Sequence, residues 1–183
     1  YVDHTHADAV LTVTHTADGA ARIREIYGDE VAILPYVMPG FLLARQVYEA
    51  LPTLDIERIS GIVLLNHGIF SFGATARESY DRMIALVSRA EDYLKRRAAW
   101  TVPSLPQRAA QVDMAALRQD ISALAGAPMI LTLDDGELAQ TFTGQDDLGR
   151  IAGQGCATPD HVIRTKRLPL IGDDLPAYEQ AYR

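Results

Sequence analysis

The chain has 183 residues, of which 48% are hydrophobic, and this is enough to bury the core of one domain with or without a short appendage. Its formal net charge of -7 gives no broad basic surface for phosphate backbones, so nucleic-acid binding is disfavoured. A small basic cluster is interpreted as a solvated strand face or an interdomain contact, and it consists of Arg164, Lys166 and Arg167.

Cysteine content and hydrophobic runs indicate the compartment. Cys156 is the only cysteine, so an intrachain disulfide is excluded and a reducing environment is favoured. The longest apolar run, residues 61–65, is far too short to span a bilayer, and no positively charged leader precedes a hydrophobic stretch. We therefore expect a cytoplasmic protein. Because Tyr1 is not a methionine and begins a predicted strand, we also expect the chain to be part of a longer polypeptide.

The first hundred residues alternate strands with helices. A strand that carries His4 and His6 begins the chain. The elements predicted after it are, in order, a helix at 7–16, a helix at 20–27, a strand at 31–37, a helix at 40–50, a strand at 61–65, a strand or extended turn at 69–72, and a helix at 75–98. The strand at 61–65 is apolar throughout, so we expect it to be buried on both faces.

The helix predicted at 75–98 has the clearest signals. Thr75 is a helix-capping residue, and Glu78 completes a capping box. The predicted buried face consists of Tyr80, Met83, Ile84, Val87 and Leu94.

Pro103 and Pro106 predict a linker over residues 101–112. The linker divides the chain into an N-terminal part, residues 1–100, and a C-terminal extension, residues 113–183. The elements predicted in the extension are a helix at 113–125, a hairpin at 128–143 that turns at residues 134–136, and a short helix at 146–152.

Three histidines are the candidate ligands of a metal ion. On a strand, His4 and His6 project from the same face with Cα atoms about 6.6 Å apart, so both imidazoles can converge on one ion. His67 lies where an apolar strand meets a glycine turn. Three imidazoles with an open fourth position are typical of a catalytic zinc site. The alternative for the His-Thr-His tripeptide taken alone is that His4 and His6 are ordinary surface or core histidines.

The residues around these histidines resemble a known family. Residues 3–9 read Asp-His-Thr-His-Ala-Asp-Ala, residues 64–70 read Leu-Leu-Asn-His-Gly-Ile-Phe, and residues 75–80 read Thr-Ala-Arg-Glu-Ser-Tyr. Together they resemble the class II aldolase/adducin family, closest to the aldolase half of bifunctional rhamnulose-1-phosphate aldolase/short-chain dehydrogenase proteins. Residues 158–167 are similar to the segment that joins the two halves of those proteins.

The resemblance implies an α/β fold, a three-layer αβα sandwich on a central, largely antiparallel sheet, here without its N-terminal part. It implies a homo-oligomer, commonly a tetramer, covalently fused to a dehydrogenase domain. It also implies that His4, His6 and His67 in the N-terminal part hold zinc or another divalent metal. The implied reaction cleaves a ketose 1-phosphate to dihydroxyacetone phosphate and an aldehyde. A chelated ion agrees with this chemistry, because it would stabilise the enediolate left by carbon–carbon cleavage.

Two parts of the family's site lie upstream of its His-x-His strand: an acidic acid/base and a phosphate-binding loop. We expect both to be missing from this chain, so no catalytic residue is assigned with certainty. His161, beside Asp160, is the candidate acid/base within the chain, against the alternative of an exposed His-Asp pair in a turn.

Four further polar residues have two interpretations each. Asp3 is either a hydrogen-bond partner of a ligand histidine or a solvated carboxylate. Asn66 either supplies a polar contact in the site or hydrogen-bonds to the turn before His67, and we favour the turn role. Tyr178 and Tyr182 either reach a neighbouring subunit's site or pack as helix-face aromatics, and we favour packing.

Two other functions compete with the aldolase hypothesis. The same superfamily contains sugar-phosphate epimerases and dehydratases, which use the same metal platform. A non-enzymatic, adducin-like assembly module would keep the fold, but such a scaffold has no need for three converging histidines.

Overall fold

The computed structural model describes residues 1–99, 101 and 112–182. The chain divides into two compact units, and each is described by itself. The first consists of Tyr1–Trp100 with Cys156–Thr165, and the second of Thr101–Gly155 with Lys166–Arg183. Among the described residues, no helix is both long and apolar enough to cross a membrane.

The first unit contains a four-stranded sheet and five helices among its described residues. The strands are β1 (Val2–Thr5), β2 (Val31–Leu34), β3 (Gly61–Leu64) and β4 (Gly68–Phe72). The helices are α1 (Asp8–Thr14), α2 (Gly19–Tyr27), α3 (Phe41–Ala50), α4 (Ala76–Arg96) and, late in the chain, α8 (Pro159–Arg164). Short 3-10 turns follow α2 and α3 at Gly28–Glu30 and Leu51–Thr53.

The strand order in the sheet is β1-β4-β3-β2. β1 pairs antiparallel with β4, β4 pairs antiparallel with β3, and β3 pairs parallel with β2. The prediction of a largely antiparallel sheet is therefore confirmed. The pairing of β1 with β4 brings residues far apart in sequence together, since His4 lies opposite Phe70.

The sheet is covered by helices on both faces, which confirms the three-layer arrangement. Alternate residues of β3 serve the two cores: Val63 packs with α1, α2 and α4, whereas Ile62 and Leu64 pack on the α3 side. All four residues of β3 are buried, as the apolar run predicts. β3 is thus packed on both faces, and the turn that follows it starts from a rigid strand.

α4 begins at the predicted capping box. The Glu78 amide donates to the Thr75 hydroxyl at 3.1 Å, and the Ala74 amide donates to the Glu78 carboxylate at 2.8 Å. The predicted buried face is only partly right, because Tyr80 and Ile84 are 59% and 49% exposed. The buried face of α4 is instead made by Ser79, Met83, Leu86, Ala90, Tyr93 and Leu94.

A reciprocal serine pair attaches α4 to β4. The Ser71 hydroxyl donates to the Ser79 carbonyl at 2.8 Å, and the Ser79 hydroxyl donates to the Ser71 carbonyl at 3.4 Å. Both residues are fully buried. The small hydroxymethyl side chains let the helix approach the strand closely while both hydroxyls keep an acceptor.

The described part of the second unit contains the helices α5 (Met114–Ala125), α6 (Glu137–Thr143), α7 (Leu148–Ala152) and α9 (Leu175–Ala181). The predicted helix at 113–125 is confirmed. Asp113 caps it by accepting from the amides of Ala115 and Ala116 at 3.0 Å, and Gly126 ends it with a φ of 65°. The linker predicted at 101–112 falls largely outside the described residues, and the domain boundaries stay a prediction.

The hairpin predicted at 128–143 is wrong. Residues 128–136, all of which are described, contain no strand, and Glu137–Thr143 is α6. The Asp134 carboxylate accepts from the Gly136 amide at 3.0 Å, so the Asp-Asp-Gly turn leads into a helix instead of reversing a strand. The residues that follow the turn, Glu-Leu-Ala-Gln, are strong helix formers, and their local preference decides the outcome.

Replacing Ser71 with alanine should destabilise the first unit. The variant loses the buried hydrogen bond to the Ser79 carbonyl, so we expect a loss of about 1 kcal/mol in the free energy of unfolding. Urea unfolding followed by circular dichroism measures this loss. Ser88→Ala is the matched control, because Ser88 is exposed on α4 and alanine is the better helix former. Equal stability of Ser71→Ala and the unsubstituted chain would contradict the prediction.

Candidate metal centre

His4 is oriented by the sheet itself. Its ring stacks on Phe70, its partner across the β1–β4 pair, with centroids 4.2 Å apart. Its Nδ1 donates to the Ile69 carbonyl at 3.0 Å. Because that hydrogen bond places the proton on Nδ1, the lone pair of the neutral ring lies on Nε2.

His6 lies just beyond the end of β1, where the sheet offers no matching carbonyl. Its Nδ1 donates to the Asp160 carboxylate at 2.8 Å. Asp160 belongs to α8 and is 154 residues away in sequence. The hydrogen bond from His6 is the main cause that lowers the pKa of Asp160 below its ordinary value. As in His4, the lone pair of the neutral ring is left on Nε2.

His67 is delivered by the turn between β3 and β4. Asn66 adopts a left-handed conformation with φ 59°, and the His67 amide donates to the Leu64 carbonyl at 3.1 Å. This agrees with the structural role expected for Asn66, since asparagine tolerates that conformation better than most residues. His67 is only 7% exposed, and its buried Nδ1 has no hydrogen-bond partner among the described residues.

The three imidazoles converge. One ligand nitrogen from each lies within 4.8 Å of the other two, and the Nε2 atoms of His4 and His6 are 3.1 Å apart. Tetrahedral zinc with Zn–N bonds near 2.0–2.1 Å separates two ligand nitrogens by about 3.3 Å. Two lone pairs at such a distance repel each other unless a proton or a cation lies between them. The donor set and the unpartnered nitrogen of His67 therefore fit a divalent metal.

Burial favours the metal-binding form of two of these rings. Removal from water is the main cause that lowers the pKa of both His4 and His67 below the ordinary value of 6.5. The neutral imidazole, which is the form that binds a metal, is thereby favoured at neutral pH.

Gly68 allows the close approach of the histidines. A Cβ atom on Gly68 would lie 2.5 Å from the Thr5 carbonyl oxygen, 3.1 Å from the His6 ring and 3.2 Å from the His4 ring. No side chain fits at that position without displacing β1. The sequence predicts only a turn at Gly68 and gives no signal of this role, because the atoms that Gly68 accommodates are more than sixty residues away in sequence.

The other candidate residues lie apart from the converging nitrogens. Asp3 is opposite Ser71, whose hydroxyl faces α4, so Asp3 points away from the face that carries His4. His161 is exposed, and its Nδ1 lies 2.6 Å from the Thr158 hydroxyl. It is not among the histidines whose ligand atoms converge in the described chain.

Tyr178 and Tyr182 are engaged within the second unit. Both hydroxyls donate to the Leu168 carbonyl, at 2.6 and 3.1 Å, and their ring centroids are 5.0 Å apart. These contacts agree with the packing role favoured for both residues.

Replacing Gly68 with alanine should damage the centre. The added methyl group must move the Thr5 backbone or the two rings, so we expect zinc affinity to fall at least about tenfold and unfolding free energy to fall by about 1–3 kcal/mol. Zinc titration and urea unfolding measure the two effects. Gly149→Ala is the control, because nothing lies within 4 Å of a Cβ added there. Unchanged zinc affinity in Gly68→Ala would show that the turn does not constrain the histidines.

Family models match both parts of the chain. Residues 1–94, more than half of the chain, match the Class II Aldolase and Adducin N-terminal domain. Residues 107–182 match Aldolase class II, second domain.

A curated relative of Bacillus subtilis, the uncharacterized oxidoreductase YuxG, is 27% identical over 192 aligned residues. The alignment includes all of this chain but only 28% of the relative. The chain therefore spans about a quarter of the length of that protein.

Two solved structures are similar to the chain. The N-terminal class II aldolase domain of a conserved Thermoplasma acidophilum protein is 45% identical, with a TM-score of 0.45, over 51% of this chain and 41% of that one. An aldolase II superfamily protein of Pseudomonas syringae is 19% identical, with a TM-score of 0.43, over 68% of this chain and 54% of that one. On the family match over residues 1–94, the chain belongs to the class II aldolase/adducin family.

Proposed function

We propose that the chain is part of a metal-dependent aldehyde-lyase that cleaves a ketose 1-phosphate, such as rhamnulose 1-phosphate, to dihydroxyacetone phosphate and an aldehyde. The observation that carries the proposal is the pair of Nε2 atoms of His4 and His6, which lie 3.1 Å apart while both Nδ1 atoms are engaged with acceptors. Membership of the class II aldolase/adducin family supports the same reaction.

In this proposal the chain's residues hold and orient the ion. His4, His6 and His67 each supply one imidazole nitrogen to zinc or another divalent metal. When bound, the ion would polarise the substrate carbonyl and stabilise the negative charge that develops as the carbon–carbon bond breaks. Phe70 covers one face of the His4 ring, and the burial of His67 keeps water from that side of the centre.

The proton-transfer residue is a separate question. The reaction needs a base to take the proton of the hydroxyl group beside the breaking bond. We propose that this group, and the phosphate-binding loop, belong to a part of the polypeptide upstream of Tyr1. His161 is the alternative within the chain, and its exposure on α8 leaves it accessible to a substrate.

We also propose that the chain belongs to a larger, cytoplasmic protein, and the comparisons and the composition support this. The relative YuxG bears the name of an oxidoreductase and is far longer than this chain, which supports a covalent fusion to a dehydrogenase domain. The single cysteine supports a reducing, cytoplasmic location. We propose a homo-oligomer, by analogy with the family's tetramers, and sedimentation of the purified protein tests this assembly.

The metal assignment predicts one zinc ion per chain and its loss in His67→Ala. The variant removes a ligand but leaves the apolar strand β3 in place, so it should stay folded. Elemental analysis with and without a chelator, together with circular dichroism, measures both properties. His15→Ala is the matched control, because His15 is an exposed residue whose Nδ1 bonds to the Leu11 carbonyl. A folded His67→Ala variant that retains zinc would remove His67 from the ligand set.

The activity assignment predicts that these 183 residues alone cleave rhamnulose 1-phosphate or fuculose 1-phosphate poorly, whereas a polypeptide extended upstream of Tyr1 is active. Loss of general acid/base catalysis lowers the rate by a factor on the order of a hundred to ten thousand. Loss of phosphate contacts also raises the substrate concentration that is needed.

Aldehyde release is the readout for both polypeptides. Equal rates would place the acid/base within the chain and make His161 the first residue to replace. A zinc-loaded, extended polypeptide that interconverts sugar phosphates without releasing aldehyde would instead identify an epimerase.

A further inference from the structure

We propose that Asp160 is a positioning residue of the metal centre: it holds the His6 ring so that Nε2 faces the ion. This inference rests on the proposed metal-binding function of the three histidines. It adds a residue from late in the chain to a site whose three candidate ligands lie within the first 67 residues.

The two neighbouring ligands are oriented in different ways. His4 donates to the Ile69 carbonyl, which the sheet holds in place. His6 lies past the last residue of β1, and its Nδ1 donates to a side chain, the carboxylate of Asp160, at 2.8 Å. The orientation of the His6 ring therefore depends on a residue that mutation can remove without changing the sheet.

The carboxylate is held by the start of α8. Thr158 is 6% exposed and caps the helix by accepting from the His161 amide at 3.4 Å. Pro159 occupies the first turn, where its restricted φ suits a helix. The buried cap and the proline fix the backbone next to Asp160, so the carboxylate is presented to His6 from a defined position.

An ordinary surface ion pair is the competing explanation, since the Asp160 side chain is 56% exposed. Such pairs contribute little to stability. The two explanations differ in what the contact does to the other ring nitrogen. A carboxylate on Nδ1 selects the tautomer with its lone pair on Nε2, and it also makes that nitrogen a more basic ligand.

The charge of Asp160 is a second reason to expect that it supports metal binding. Three neutral imidazoles leave the two positive charges of a divalent ion uncompensated, whereas the Asp160 carboxylate adds one negative charge beside a ligand. Hydrogen-bonded partners of ligand histidines change metal affinity by about 10- to 100-fold when they are removed. A surface ion pair without this role would leave metal affinity unchanged.

The test compares zinc affinity of the full chain with that of three variants, measured by competition with a chelator. Asp160→Ala should bind zinc about 10- to 100-fold more weakly. Asp160→Asn keeps an acceptor for the Nδ1–H group but loses the charge, so its affinity should fall between those of Asp160→Ala and the unsubstituted chain. Asp3→Asn is the matched control and should bind as tightly as the unsubstituted chain, because Asp3 lies on the other face of β1.

Nitrogen-15 spectra of the histidine rings give a readout without metal. In the unsubstituted chain the His6 proton should reside on Nδ1, and in Asp160→Ala the two tautomers should mix. Zinc affinity of Asp160→Ala within twofold of the unsubstituted chain would overturn the proposal, and so would an unchanged His6 tautomer in that variant. If Asp160→Ala fails to fold by circular dichroism, the nearly isosteric Asp160→Asn decides by zinc affinity alone, and an affinity equal to that of the unsubstituted chain would overturn the proposal.

The outcomes also separate this inference from the function on which it rests. Absence of zinc binding by the unsubstituted chain would overturn the metal-dependent function, and the role of Asp160 with it. Tight zinc binding by the unsubstituted chain and by Asp160→Ala alike would overturn only the role of Asp160.

Discussion

Antiparallel pairing of β1 with β4 is the constraint on which the candidate metal centre depends. The register places Thr5 opposite Ile69, so the end of β1 lies beside the turn that carries His67. Gly68 permits this approach, because any side chain there would meet the Thr5 carbonyl oxygen at 2.5 Å. A one-residue slip of β1 would turn His4 to the opposite face of the sheet and dismantle the cluster.

Rigid surroundings hold the histidines in place. β3 is buried between two cores and leads directly into the turn with His67, while the serine pair attaches β4 to α4. A site built on such elements loses little freedom when it binds a ligand. The contact between Asp160 and His6 is less rigid than these buried elements. Here a half-exposed carboxylate on a six-residue helix orients His6 from outside the sheet.

The nitrogens of the centre are unequal in their hydrogen bonding. His4 and His6 each use Nδ1 for an acceptor and direct Nε2 at each other, whereas His67 keeps a buried nitrogen without a partner among the described residues. A buried polar atom without a partner costs about 1–3 kcal/mol. A cation between the two Nε2 atoms would relieve the repulsion between their lone pairs, which an apolar group would not.

Three features could be predicted from local sequence patterns alone: the His-x-His pair on one strand face, the burial of β3 on both faces and the capping box of α4. Each involves residues close in sequence. The three-layer fold was predicted from the family resemblance, not from these local patterns. Tertiary structure alone decided the contact between His6 and Asp160, the need for Gly68 and the buried face of α4. The predicted hairpin was replaced by α6 for a local reason, because the helix preference of residues 137–140 outweighed the turn signal before them. Contacts across 154 residues leave no periodic signal, because chain folding and not local spacing brings their atoms together.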